Sequence, residues 1–215
     1  MKITGAIFDM DGTLLDSMDY WAGAPSEFLR QNGIEPLPND AGKFFLEKGM
    51  TSAHKLWSEK YGLTLSLEET REQIYEITKK GYESNVSVKA GAKELLERLK
   101  SAGVKMCLAT ATDRDVVEAV LKRLGIDGYF SRIFTCTEVG KGKAFPLIYE
   151  IALDYLGTDK ETTYVFEDAH YAIVTAKNAG FKVVGIYDRN VFVSKDEIKA
   201  LCDIYLDEDD KYNLP

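Results

Sequence analysis

Apolar spacing along the chain has two textures. It opens on Ile3, Ala6, Ile7 and Phe8, a short run with β-branched and aromatic members that Gly12-Thr13 breaks, the pattern of a fully buried strand. From residue 16 to about residue 87 only helical periodicity follows: 18–31, a piece through Lys43, Phe44, Phe45 and Leu46, then 52–61 and 67–82, punctuated by Gly33, Gly49 and Gly62. Pro25 either interrupts the first of these helices or marks a late start. From Val86 onward helices and strands alternate. Ala92, Leu95, Leu96 and Leu99 have the i, i+3, i+4, i+7 spacing of a helix that stops near Gly103, and Val104 to Ala109 is a short apolar strand. Val117, Val120, Leu121 and Leu124 repeat the helix, ended by Gly125. Strands are expected at 132–136, 163–166, 182–187 and 203–206, separated by helices at 146–156, 169–179 and 195–201.

Such alternation predicts an α/β fold, a doubly wound parallel sheet built from 1–15 and 87–215 with right-handed crossovers. The all-helical segment 16–86 is then an insertion that leaves the sheet at the end of the first strand. In open α/β sheets that end is where ligands bind, so the insertion is expected to act as a cap over a site.

Composition narrows the partners. Hydrophobic residues at 45% and charged residues at 29% describe an ordinary globular chain. A net charge of -8 offers no basic field to nucleic acid or to an anionic membrane, so an anionic ligand must meet local positive charge. No secretory pattern and no run long enough to span a bilayer are present, which predicts a cytoplasmic location and no membrane partner. Cys107, Cys136 and Cys202 are odd in number and widely spaced, which suits reduced thiols better than disulfides or a zinc site. A monomer or a weak homodimer is expected.

Candidate chemistry collects at strand ends. Asp9 and Asp11, one residue apart in extended backbone, share a side of the first strand, and two close carboxylates repel unless a proton or a cation separates them. Thr110 closes a strand, where its hydroxyl and nearby helix N-terminal amides could hold an anion. Thr112, with Asp115 three residues later, reads as the cap of the following helix, a capping box in which Asp replaces the usual Glu. Lys141 and Lys143 sit in a glycine loop; such a pair is usually a solvated turn, but near carboxylates and a phosphate an ammonium would hold the charged groups together. Glu167 and Asp168 end another apolar strand. Two acidic strand ends in one sheet suit an oxygen-ligand site for Mg2+.

Asp9-Met-Asp-Gly-Thr-Leu-Leu-Asp16, the strand ending at Thr110, Lys143 ahead of a helix opened by Pro146, and Glu167-Asp168 follow the order of the four motifs of the haloacid dehalogenase-like superfamily, which the whole chain resembles. It is most similar to phosphatase and beta-phosphoglucomutase-like members, which carry a helical cap after the first motif on a Rossmann-like core. The resemblance implies that Asp9 is the nucleophile and forms an aspartyl-phosphate, and that Asp11 protonates the leaving alcohol and then activates water. Thr110 would bind the phosphoryl group and Lys143 would bridge it to Asp9. Mg2+ would be held by Asp9, the backbone carbonyl of Asp11 and Asp168, with Glu167 a ligand or a neighbour of one.

The third motif of that family usually reads Lys-Pro-x-Pro, whereas Lys143-Ala-Phe-Pro146 stands here; Lys141 is the alternative for the motif's lysine, and alignment on Pro146 favours Lys143. His170 is expected to be a helix-start side chain, with a role in proton transfer the alternative. Dehalogenating members lack an acid at the position of Asp11, so its presence points to phosphoryl transfer. Sugar mutases of the family need a cap arginine, and Glu47-Lys-Gly-Met-Thr-Ser-Ala-His54 has none, though Lys48 or His54 could supply the charge. Tyr20 and Trp21 are candidate substrate contacts in the cap, with helix packing the alternative for Trp21. The expectation is therefore a Mg2+-dependent phosphatase acting on a small phosphorylated substrate such as a sugar phosphate, polyol phosphate or nucleotide. The alternatives are a beta-phosphoglucomutase-like phosphomutase and a non-catalytic binding protein on the same fold.

Overall fold

The computed structural model describes residues 2–210 and 212–214. They form two compact units, one being Ser17–Val86 and the other the segments on either side of it in the chain.

The helical unit consists of α1 (Met18–Gln31), α2 (Gly42–Tyr61) and α3 (Leu67–Ser84). Pro25 neither interrupts α1 nor delays its start: the helix runs through it and buries its ring. The two helical pieces expected around Gly49 form one element with a break at that glycine alone, where φ is 78° and ψ 169°. Ser66 caps α3 reciprocally with Glu69, each donating a backbone N–H to the other's side chain. Phe28, Leu29, Ala53, Trp57 and Ile74 form a separate core here, and the Trp57 indole donates to the carbonyl of Asp40 at 2.7 Å.

The second unit is a six-stranded parallel sheet of β1 (Gly5–Phe8), β2 (Lys105–Thr110), β3 (Ile133–Thr135), β4 (Thr163–Glu167), β5 (Lys182–Ile186) and β6 (Ile204–Leu206). Its order is β3-β2-β1-β4-β5-β6. Helices α4 (Ala92–Ser101), α5 (Arg114–Leu124), α6 (Cys136–Val139), α7 (Leu147–Leu156), α8 (His170–Asn178) and α9 (Lys195–Leu201) connect the strands. Of the apolar stripes read from the sequence, Ala92, Leu95, Leu96 and Leu99 on α4 and Val117, Val120 and Leu121 on α5 are buried, whereas Leu124 is half-buried. β3 is shorter than expected, because Thr135 caps α6 by accepting from the Glu138 N–H at 3.2 Å and so turns Cys136 out of the strand. Chain order runs outward from β1 through β2 to β3 and then restarts at β4 on the other side. The carboxyl ends of β1 and β4 therefore flank the topological switch point, where such sheets bind ligands.

All three cysteines are free, and burial pushes the Cys107 thiol up to about 12, which makes it inert. Among the described residues no helix is long and apolar enough to cross a membrane.

Candidate active site

Asp9 leaves β1 directly, and its N–H donates to the carbonyl of Phe166 at 2.9 Å, so the loop after β1 and the end of β4 are locked side by side. Glu167 ends β4 and Asp168 follows it, both buried. Lys143 comes from the loop between α6 and α7, behind Gly140, whose left-handed φ of 74° ends α6. Only 4% exposed, Lys143 donates to Oδ1 of Asp9 and to Oε2 of Glu167, the latter at 2.8 Å. Tyr149 on α7 donates to the same Oε2 at 3.1 Å, and the Ala169 N–H reaches Oε1 of Glu167 at 3.3 Å.

One ammonium thus lies between two carboxylates and cannot neutralise both. Burial, reinforced by the charge of Asp9 and opposed by Lys143, pushes the Glu167 carboxyl up to about 7. Asp168 is driven well above the usual carboxylate range by burial, then by Glu167, Asp9 and Asp188, with Lys89 opposing. For Lys143 burial works against the charge, but the two acids outweigh it and hold the ammonium protonated.

The donor set fits a divalent cation. Carboxylate oxygens of Asp9, Glu167 and Asp168 all lie within 4.8 Å of one another. Among the described residues four buried carboxylates, Asp9, Glu167, Asp168 and Asp188, face two ammonium groups, Lys143 and the largely buried Lys89, which leaves two of these negative charges unmatched. Protons or a doubly charged hard cation can balance them, and an all-oxygen set suits Mg2+. Oδ1 of Asp168 accepts from the Thr13 hydroxyl at 2.8 Å, while its Oδ2 lies against Gly12. Gly12 has φ +80°, and a Cβ there would lie 2.7 Å from Cγ of Asp168, so this position needs glycine for both conformation and space.

The loop after β2 supplies hydroxyls. Thr110 is fully buried, and its Oγ1 accepts the N–H of Thr112 at 3.1 Å. Thr112 is not the helix cap that its spacing to Asp115 suggested. Asp113 occupies that position, with no side-chain cap bond, and the Thr112 hydroxyl donates to Oδ2 of Asp11 at 2.6 Å. β2 runs to Thr110 and α5 starts at Arg114, so Asp113 rather than Thr112 precedes the helix and the Thr112 hydroxyl is left for Asp11.

A sequence model described as haloacid dehalogenase-like hydrolase matches residues 6–186. The chain belongs to the haloacid dehalogenase-like hydrolase family. Among curated relatives it is 29% identical over 176 residues to a phosphorylated carbohydrates phosphatase of Thermotoga maritima, covering 82% of this chain and 81% of that one. It is 28% identical over 225 residues to a phosphoglycolate phosphatase of Neisseria gonorrhoeae, covering 94% and 92%. Among solved structures, a hydrolase from Pseudomonas syringae superposes with a TM-score of 0.75 at 27% identity, covering 94% of this chain and 92% of that chain.

Within this haloacid dehalogenase-like chain, the structure brings Asp9, Lys143, Glu167 and Asp168 together and ties Thr110 through Thr112 to Asp11. Lys141 lies instead over the ring of Phe145, 5.1 Å from its centroid. Tyr20 and Trp21 belong to the helical unit. There the Tyr20 ring packs on Gly81, and the Trp21 indole donates to the Tyr82 hydroxyl at 2.7 Å and stacks on Phe45. His54 meets the carbonyl of Leu65 at 2.9 Å. His170 does start α8, with Nε2 3.7 Å from Glu197. Sequence reasoning took Thr112 for a helix cap alone and missed Thr13, Lys89, Tyr149 and Asp188. Of these only Thr13, inside the first motif, carried a local signal; the others reach the site through tertiary packing.

Proposed function

We propose that the chain is a magnesium-dependent phosphatase of small phosphorylated metabolites, working through an aspartyl-phosphate on Asp9. The observation that carries this reading is the buried Lys143 ammonium held between Asp9 and Glu167 beside Asp168, a ready counter-charge for an anion approaching a carboxylate nucleophile. An oxygen of Asp9 attacks phosphorus as the bond to the alcohol oxygen breaks, and Asp11 gives its proton to that oxygen. Asp11, now ionised, takes a proton from water, whose oxygen attacks the phosphorus and releases inorganic phosphate and Asp9. Thr110 and Lys143 hold the phosphoryl oxygens, and Glu167, itself held by Tyr149, orients Lys143. Held by Asp9, Asp168 and the backbone carbonyl of Asp11, Mg2+ would supply charge neutralisation for the transferring group.

The helical unit, inserted between Asp16 and Ser87, serves in this reading as the cap that selects the substrate, with Tyr20 and Trp21 on its first helix. Relatives named for phosphorylated carbohydrates and phosphoglycolate support small phosphate esters as the substrate class. Free cysteines suit a cytoplasmic setting. Release of p-nitrophenol from p-nitrophenyl phosphate tests the reading: it should require Mg2+ and be lost in Asp9→Asn. Metal-independent turnover, or turnover undiminished in that variant, would sink it. A panel of sugar, polyol and nucleotide phosphates, scored for both phosphate release and glucose-phosphate isomerisation, separates a hydrolase from a mutase.

A further inference from the structure

Behind the acid cluster lies a second buried charge pair that the mechanism above does not use. Lys89, just past the return of the chain from the helical unit, donates through Nζ to the carbonyl of Gly12 and to the carbonyl of Tyr187 at 2.7 Å, and its ammonium pairs with Oδ2 of Asp188 at 2.8 Å. Asp188 is fixed in turn, accepting the N–H of Asn190 on Oδ1 at 2.8 Å, and the two side chains are 14% and 2% exposed. The backbone of Lys89 joins the same loop, its N–H donating to the carbonyl of Leu14 at 2.9 Å beside the bridge from Leu15 to Val88.

Gly12 is the peptide that follows Asp11, and at φ +80° it has no Cβ to restrain it. On one side the loop rests on Asp168, through Gly12 and the Thr13 hydroxyl. On the other side the tie comes from Lys89. We propose that Lys89 is a positioning residue: anchored by Asp188 and the end of β5, it holds the Gly12 carbonyl and thereby sets where the carboxyl and carbonyl groups of Asp11 stand. This rests on the phosphatase reading for its catalytic consequence, though the tie itself does not.

A bare stabilising ion pair and a positioning tie predict different results. Lys89→Met leaves Asp188 buried and unpaired, and Asp188→Asn in the same chain removes that charge without restoring a bond to Gly12. We expect Lys89→Met to lower kcat on p-nitrophenyl phosphate by about tenfold to a hundredfold, as small misplacements of a reacting group do. KM should stay within about twofold, because binding is not what is lost. The Lys89→Met/Asp188→Asn double variant should regain most of the lost Tm but not the lost kcat. Amide exchange followed by NMR should accelerate by about fivefold or more at Gly12, Leu14 and Leu15 in both variants, the scale of one hydrogen bond. Recovery of kcat together with Tm in the double variant, or unchanged exchange in this loop, would overturn the proposal. Exchange does not depend on turnover, so an inactive wild type with accelerated loop exchange in Lys89→Met would support the tie and overturn the phosphatase reading instead.

Discussion

The Thr112 hydroxyl donates a 2.6 Å hydrogen bond to Oδ2 of Asp11, joining the turn after β2 to the loop after β1. The same turn is braced by the Thr112 N–H on Thr110, so two loops that share no strand are set by one residue. On the proposed mechanism, removing the hydroxyl should misplace Asp11, the proton carrier, more than the groups that would bind phosphate. Thr112→Val is expected to lower kcat by about tenfold, within the range of general acid–base contributions. The loss should be greater for alkyl phosphates, whose leaving oxygen needs a proton, than for p-nitrophenyl phosphate, and Thr112→Ser should retain most activity. Equal losses on both substrates would argue against this role.

Gly12→Ala tests how closely the first loop is fitted to Asp168. Left-handed backbone costs an L-residue about 1–2 kcal/mol, and the new methyl would also push on the Asp168 carboxylate. The variant should show a lower Tm and a weakened calorimetric heat of Mg2+ binding. Unaltered metal binding in a folded Gly12→Ala protein would mean that the loop gives way without moving Asp168.

Much of this was legible in the sequence because the periodicities are strong. Strand and helix runs from Val86 onward alternate cleanly, and Asp9, Lys143, Glu167 and Asp168 all stand at strand ends or before a helix-opening proline, positions that a parallel sheet gathers at one edge. Thr112 was misread because a local cap rule competes with a tertiary bond, and nothing nearby in sequence reveals an acceptor 101 residues away. Lys89 and Asp188 are likewise ordinary in their local context; only the parallel pairing of β1, β4 and β5 brings Gly12, Tyr187 and Lys89 together. Pro25 shows the reverse case, since core packing of Ala24, Pro25, Phe28 and Leu29 outweighs one missing helical hydrogen bond.

Trp57 offers a probe of the helical unit alone. It is fully buried in a core of its own and hydrogen-bonded to Asp40, whereas Trp21, the other of the two tryptophans, is half-buried. Trp57→Ala should destabilise that unit by about 3–5 kcal/mol, the usual cost of emptying an aromatic core position. Fluorescence of the remaining Trp21 should then report unfolding of Ser17–Val86 at lower denaturant than circular dichroism reports for the sheet. Coincident transitions in the variant would show that the two units unfold as one.

Charge balance in the acid cluster sets a pH dependence in metal-free protein. Burial raises the folded Glu167 carboxyl from its ordinary 4.5 to about 7, and Asp168 moves in the same direction. Between those two values the folded state holds a proton that the unfolded chain has released, so the folded state binds more protons and stability falls as pH rises across the window. In EDTA the Tm should therefore decline from about pH 4.5 to about pH 7 through this group. Glu167→Gln, which cannot ionise, should flatten part of that decline. Added Mg2+ should flatten it in the wild type, because a bound cation takes over the compensation that the proton provides. A scan of Tm against pH with EDTA, with Mg2+ and in the variant decides the matter; a wild-type Tm that climbs through this window in EDTA, with Glu167→Gln following the same curve, would show that the buried acids are balanced by some other charge.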